Sequence, residues 1–153
     1  MKAPAMPALV RALAIACSPL SMPAAAATLA APTLVRLEVA PYDAEAPFAA
    51  SLNHCVSLIV ARDYGAAAGA CDAALSVARL EATDPGSLLS KTGIRDTNLA
   101  IAYNDRAVLH LRSGALGPAR ADIRRALRAD PSPAVEATAH AIDAADRAMP
   151  RTD

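Results

Sequence analysis

Residues 100–133 read AIAYNDRAVLHLRSGALGPARADIRRALRADPSP, and they organise the rest of the chain. The helix containing their first half opens near Thr97, whose hydroxyl can cap it. It runs to Gly114, the residue type best suited to a left-handed terminator. Pro118 fits the first turn of a following helix that extends to about Ala129. The tetrapeptide DPSP stops that helix, and Ser132 followed by Pro133 opens a last one through about Met149. This last helix sets Val135, Ala139, Ile142, Ala145 and Met149 on one face, with Glu136, Asp143 and Arg147 elsewhere.

Upstream, Phe48 to Leu80 shows the same helical period. Leu52, Cys55, Val56, Ile59 and Val60 mark one helix, and Ala67, Ala70, Cys71, Ala74 and Leu75 mark the next. RDYG at 62–65 separates them, so the segment predicts two antiparallel helices of about four turns. Between the two helical pairs, residues 81–96 form a long connection with a turn at Pro85-Gly86. The composition agrees with an all-α fold in a single domain. Of the 153 residues 54% are hydrophobic but only 3% aromatic, so alanine carries the apolar fraction, which suits closely packed helices.

The first residues, MKAPAMPALVRALAIACSPLSMPAAAATLA, run basic, apolar, then small, in the order of a secretory signal peptide cleaved near Ala26. A lipoprotein signal ending at Cys17 is the alternative. The apolar run is too short to span a membrane, which needs about 20 residues. Cleavage would leave Cys55 and Cys71 as the only cysteines, in a periplasmic or secreted protein. Residues 27–47 form a linker in which Val35, Leu37 and Val39 alternate with Leu34, Arg36 and Glu38, as in one short strand. A single strand is not stable alone, so this segment must dock on something or stay extended.

Set side by side, the helical pairs share a skeleton. Tyr103, Arg106, Ala107 and His110 are spaced Y-x2-R-A-x2-H, followed by Ala119-x3-Ile123, Ala126 and Pro131. The spacing resembles the tetratricopeptide repeat (TPR), a 34-residue unit of two helices. One unit would be 100–133. A degenerate copy, 48–81, has Ser51, His54, Cys55 and Leu58 in the first-helix slots, Tyr64 at the turn, then Ala67-x3-Cys71 and Ala74. Residues 82–99 would be an insertion and 134–149 a capping helix. The resemblance, to a small exported bacterial member of the family, implies protein or peptide binding in a concave groove lined by the first helix of each unit. Matching positions are Ala49, Leu52, Asn53, Val56 and Val60, then Ile101, Asn104, Asp105, Val108 and Arg112. Most are apolar. A Lys/Asn/Arg clamp on a terminal carboxylate is not reproduced, because neither first helix holds a Lys. An apolar segment is the better ligand, and LVRLEV at 34–39 could fill the groove in cis. Alternatively these residues simply pack beneath a neighbouring segment. A stack of two units could also be completed by self-association into a homo-oligomer.

In this frame Cys55 and Cys71 both face the partner helix, and one hairpin brings them together. An exported location would oxidise them, so a disulfide is expected, with two buried thiols as the alternative. Other chemistry finds little support. Fifteen basic residues balance fifteen acidic ones, so no global charge recommends nucleic acid. Arg120, Arg124 and Arg128 form a stripe with Arg125 beside it, and a solvated outer face explains it. His54, His110 and His140 fall on different helices. A zinc site from His54, Cys55 and Cys71 fails, because adjacent helical residues point about 100° apart. No phosphate loop, nucleophile elbow or carboxylate pair appears, so no catalytic residue, metal or cofactor is expected.

Overall fold

The computed structural model describes residues 31–37, 47–83 and 94–149. The expected signal peptide with Cys17, residues 38–46 including Val39, and the connection at 84–93 lie outside the described residues. Five helices appear: α1 (Pro47–Val60), α2 (Tyr64–Thr83), α3 (Ile94–Arg112), α4 (Leu116–Ala129) and α5 (Pro133–Ala148). Among the described residues there is no strand, and no helix is long and apolar enough to cross a membrane.

Sequence sets most of the helix ends. Gly114 has φ +80°, and behind it the Gly114 and Ala115 amides donate to the Leu111 and His110 carbonyls. Donors at C′ and C″ thus satisfy carbonyls that the end of α3 would leave unpaired. The α1–α2 turn repeats the pattern: Arg62 stands at φ +62°, with Arg62 and Asp63 donating to Ile59 and Leu58. No glycine marks this turn, although a non-glycine residue occupies the left-handed region at some cost. Asp63 then caps α2 by accepting from the Ala66 amide at 3.1 Å. Ser132 and Pro133 open α5 as its N-cap and first residue. Thr97 plays a different part from the expected cap. Helix α3 begins at Ile94, which places Thr97 inside it, and the Thr97 hydroxyl donates to Asp130 just after α4.

Packing runs mostly between sequence neighbours: α1 with α2, α2 with α3, α3 with α4, and α4 with α5, while α5 also meets α3. Small residues allow the close approach. Ala67, Ala78, Ala107, Ala119 and Ala126 are fully buried at helix contacts. Larger side chains fill what remains, with Phe48, Leu52 and Leu75 in one cluster and Ile123, Val135 and Ile142 in another. A third cluster contains Cys55, Ile59, Ala67, Cys71 and Leu109, and in it the two sulfurs form a disulfide joining α1 to α2, with Cα atoms 4.8 Å apart. Met149 stands just past the end of α5 and is 52% exposed rather than part of the buried face. Thr138 lies in the apolar stripe instead, between Val135 and Ile142.

A charged cluster fastens the outer side of α3. Asp122 on α4 is buried and accepts from Arg106 Nε at 2.7 Å and Nη2 at 2.9 Å, while Arg106 Nη1 reaches Asp72 of α2 at 2.6 Å. Arg125 also donates to Asp122, and the Arg79, Arg106 and Arg125 guanidinium groups stand over the Tyr103 ring at 5.7–5.8 Å. Both carboxylates hold the Arg106 proton more firmly than usual, hydrogen bonding to Asp122 contributing most. One side chain thereby ties three helices together.

Two outcomes test these ties. Replacing Cys55 and Cys71 with alanine should lower unfolding stability by about 3 kcal/mol through lost loop closure, against an intact fold in far-UV dichroism. Equal urea midpoints for oxidised wild type and the double variant would refute this. Arg106→Leu leaves Asp122 buried with fewer cations and should cost about 3 kcal/mol, whereas Arg106→Leu/Asp122→Leu should recover much of that loss. Simple additivity in the double-mutant cycle would show that the pair is not coupled.

Candidate functional site

The segment 31–37 forms no helix and pairs with no strand among the described residues, and its backbone bonds alternate as in an extended chain. Its docking surface is built from helices. Thr33 donates its amide to Thr138 Oγ1 of α5 at 3.1 Å, and its carbonyl accepts from Asn104 Nδ2 of α3 at 2.8 Å. The Val35 amide donates to Asp105 Oδ1 of α3 at 3.0 Å. Leu37 exchanges two bonds with Asn53 of α1: its amide donates to Oδ1 at 3.1 Å and its carbonyl accepts from Nδ2 at 2.9 Å. The segment therefore crosses from α5 over α3 to α1 like a strap. Every second residue turns its backbone toward the helices.

Extended geometry then fixes the side chains, because neighbours point to opposite sides. Leu34 packs toward the late part of α1 and α3 on the Cys55, Ile59 and Leu109 cluster, and on the same side Arg36 reaches Ser57 Oγ at 3.3 Å. Leu37 lies on the other side, against the Phe48, Leu52 and Ala102 cluster. Beyond Thr33, Ala31 and Pro32 border an apolar cavity of about 250 Å³ with Leu111 and the alanines Ala141, Ala144, Ala145 and Ala148.

The floor under the strap is polar and dry. Asn104, Asp105 and Thr138 each have 0% exposure. Asn104 Nδ2 also donates to Asp105 Oδ1 at 3.1 Å, while Asn104 Oδ1 and Asp105 Oδ2 have no partner. Removal from water pushes the Asp105 carboxyl from 3.8 up to about 7, against the opposing pull of the Val35 amide and the Asn104 side chain. Burial dominates because an ionised carboxylate loses more hydration than two hydrogen bonds return.

Of the residues placed in the groove from sequence, Asn53, Asn104 and Asp105 are brought together by the strap. Leu52, Val56 and Val108 are buried in the packed layer and, with the strap in place, present no surface. Ala49 is buried as well, and Ile101 is half-buried. Val60 is 59% exposed at the end of α1, and Arg112 is exposed at the end of α3. Thr138 was not foreseen. Its signal was spacing, since 135, 138 and 142 share one helical face, so that threonine sits among buried apolar residues.

The other candidates fall elsewhere. His54 and His140 are exposed, and His110 Nε2 lies 3.6 Å from Asp122. The sulfurs beside His54 are committed to the disulfide, and no group of three metal-ligating residues occurs among the described residues. In the arginine stripe, Arg124 and Arg128 are exposed, while Arg120 pairs with Asp146 of α5. What the site can do chemically is hold an extended backbone. No protein-family profile, curated protein or solved structure matches this chain.

The Asp105 shift has a definite sign. The folded state holds this proton more tightly than the unfolded chain, so the stability it contributes is fully present below about pH 4 and is lost as pH rises through 7. Urea unfolding at pH 5 and pH 8 should differ by roughly 2–3 kcal/mol from this group alone. Asp105→Asn should remove that difference. An unchanged pH profile in the variant would show that Asp105 ionises without cost.

Proposed function

We propose that this is an exported TPR-like protein that binds extended peptide or protein segments across α1, α3 and α5. One observation carries the proposal: Asn53, Asn104, Asp105 and Thr138, from three helices, all bond to the backbone of a single extended segment. Contacts of this kind fit any sequence able to lie extended, as a peptide-binding groove requires. The helix pairs support a repeat architecture, because α1–α2 and α3–α4 are joined by turns with the same hydrogen-bond pattern. Fully buried Ala107, Ala119 and Ala126 agree with the small positions of the TPR skeleton, and α5 covering α3 and α4 agrees with a capping helix. Export is supported by the Cys55–Cys71 disulfide, which persists in oxidising compartments. The chemistry on hand is that of backbone recognition.

A photocrosslinking residue at exposed Ser57, beside the strap, should capture a defined partner segment. The yield should fall at least several-fold when Asn53→Ala and Asn104→Ala are added. The same crosslinker at Arg124, on the outer helix, should capture none of it. Equal capture from Ser57 and Arg124, or capture indifferent to both asparagines, would overturn the assignment.

A further inference from the structure

The strap occupies the groove incompletely. Two buried oxygens, Asn104 Oδ1 and Asp105 Oδ2, have no protein hydrogen-bond partner beside it. Buried polar atoms in folded proteins are nearly always paired, so these two oxygens mark a place where the strap's backbone does not meet the floor. The strap itself is lightly held: Ala31, Thr33 and Arg36 are exposed, and Leu34, Val35 and Leu37 are only half-buried. Its grip comes from alternate amides and from two leucines three positions apart.

From these contacts we infer that residues 33–37 are a built-in stand-in for an extended Leu-x-x-Leu segment of another polypeptide, which takes the same register when it displaces the strap. The inference rests on the peptide-groove assignment above and specifies its ligand. At the positions equivalent to Thr33, Val35 and Leu37, the incoming backbone meets Asn104 with Thr138, then Asp105, then Asn53. Its first leucine enters the site formed by Cys55, Ile59 and Leu109, and its second the site formed by Phe48, Leu52 and Ala102. Backbone groups at the positions equivalent to Leu34 and Arg36 point away from the floor, as extended geometry dictates. The strap thus sets a threshold, since a ligand must outcompete a segment tethered in the same molecule.

The test uses the full chain and a fluorescein-labelled synthetic peptide, APTLVRLEVA, corresponding to residues 31–40. Leu34→Asp with Val35→Pro removes one leucine contact and the amide that Asp105 accepts, which frees the groove. Fluorescence anisotropy should show the peptide binding this variant at least ten-fold more tightly than it binds wild type. N-methylation of the peptide at the Val35 and Leu37 nitrogens should abolish binding, whereas methylation at Leu34 and Arg36 should leave it within about two-fold, because only the former face the helices.

Equal binding to variant and wild type would overturn the stand-in while leaving the groove intact. Binding insensitive to which amides are methylated would overturn the register. No binding to a variant that retains helical dichroism would overturn both the stand-in and the groove. If the variant does not fold, a protease site inserted between Asp43 and Ala44 serves instead. After cleavage, labelled peptide should exchange into the chain at least ten-fold faster than before, and an unchanged exchange rate would refute the inference.

Discussion

A buried polar group must find a partner, and in this protein that constraint falls on the middle of α3. Asn104 and Asp105 are adjacent in sequence and both fully buried. A helix interior satisfies their backbone groups but leaves the side chains unpaired. The strap supplies part of what is missing. Its carbonyl at Thr33 and its amide at Val35 meet Asn104 and Asp105, and the neighbouring helices complete the row with Thr138 and Asn53. An extended segment with no sheet to join thereby acquires the hydrogen bonds that a neighbouring strand would have given it. Each element meets part of the other's deficit.

Two further devices hold the floor in place. The disulfide binds α1 to α2 within the cluster on which Leu34 rests, so the covalent link also supports part of the groove. On the opposite side of α3, Arg106 joins Asp122 and Asp72 and fixes the helix against α2 and α4. Both lie away from the strap's backbone contacts. They hold α1 and α3 in relative position through α2, while α5 packs on α3 and α4, and that spacing lets polar atoms from three helices match the repeat of one extended backbone.

Much of the helical framework was legible from residues. Gly114, the Ser132-Pro133 start and the spacing of small residues each act within a few positions, so their consequences follow from local geometry. The disulfide pair was legible too, because one short hairpin brings the sulfurs together. Two helix ends were less so. Arg62 is not the residue that a left-handed terminator favours, yet it takes φ +62° at the α1–α2 turn. Thr97 had the composition of a cap, yet its hydroxyl is taken by Asp130, thirty-three residues away.

The sequence by itself determined the helices, the break between α1 and α2, the hairpin that brings Cys55 and Cys71 together and the alternating pattern of residues 34–39. Each depends on periodicity or on contacts close along the chain. Only the tertiary structure decided which polar side chains meet the strap. Thr33 and Thr138 are 105 positions apart, and Val35 and Asp105 are 70. No local pattern encodes such a distance. Whether Asn53, Asn104, Asp105 and Thr138 become separate surface groups or one row of backbone partners depends on how α1, α3 and α5 pack. That packing is fixed by the combined fit of many small apolar contacts, in which no single residue announces the result.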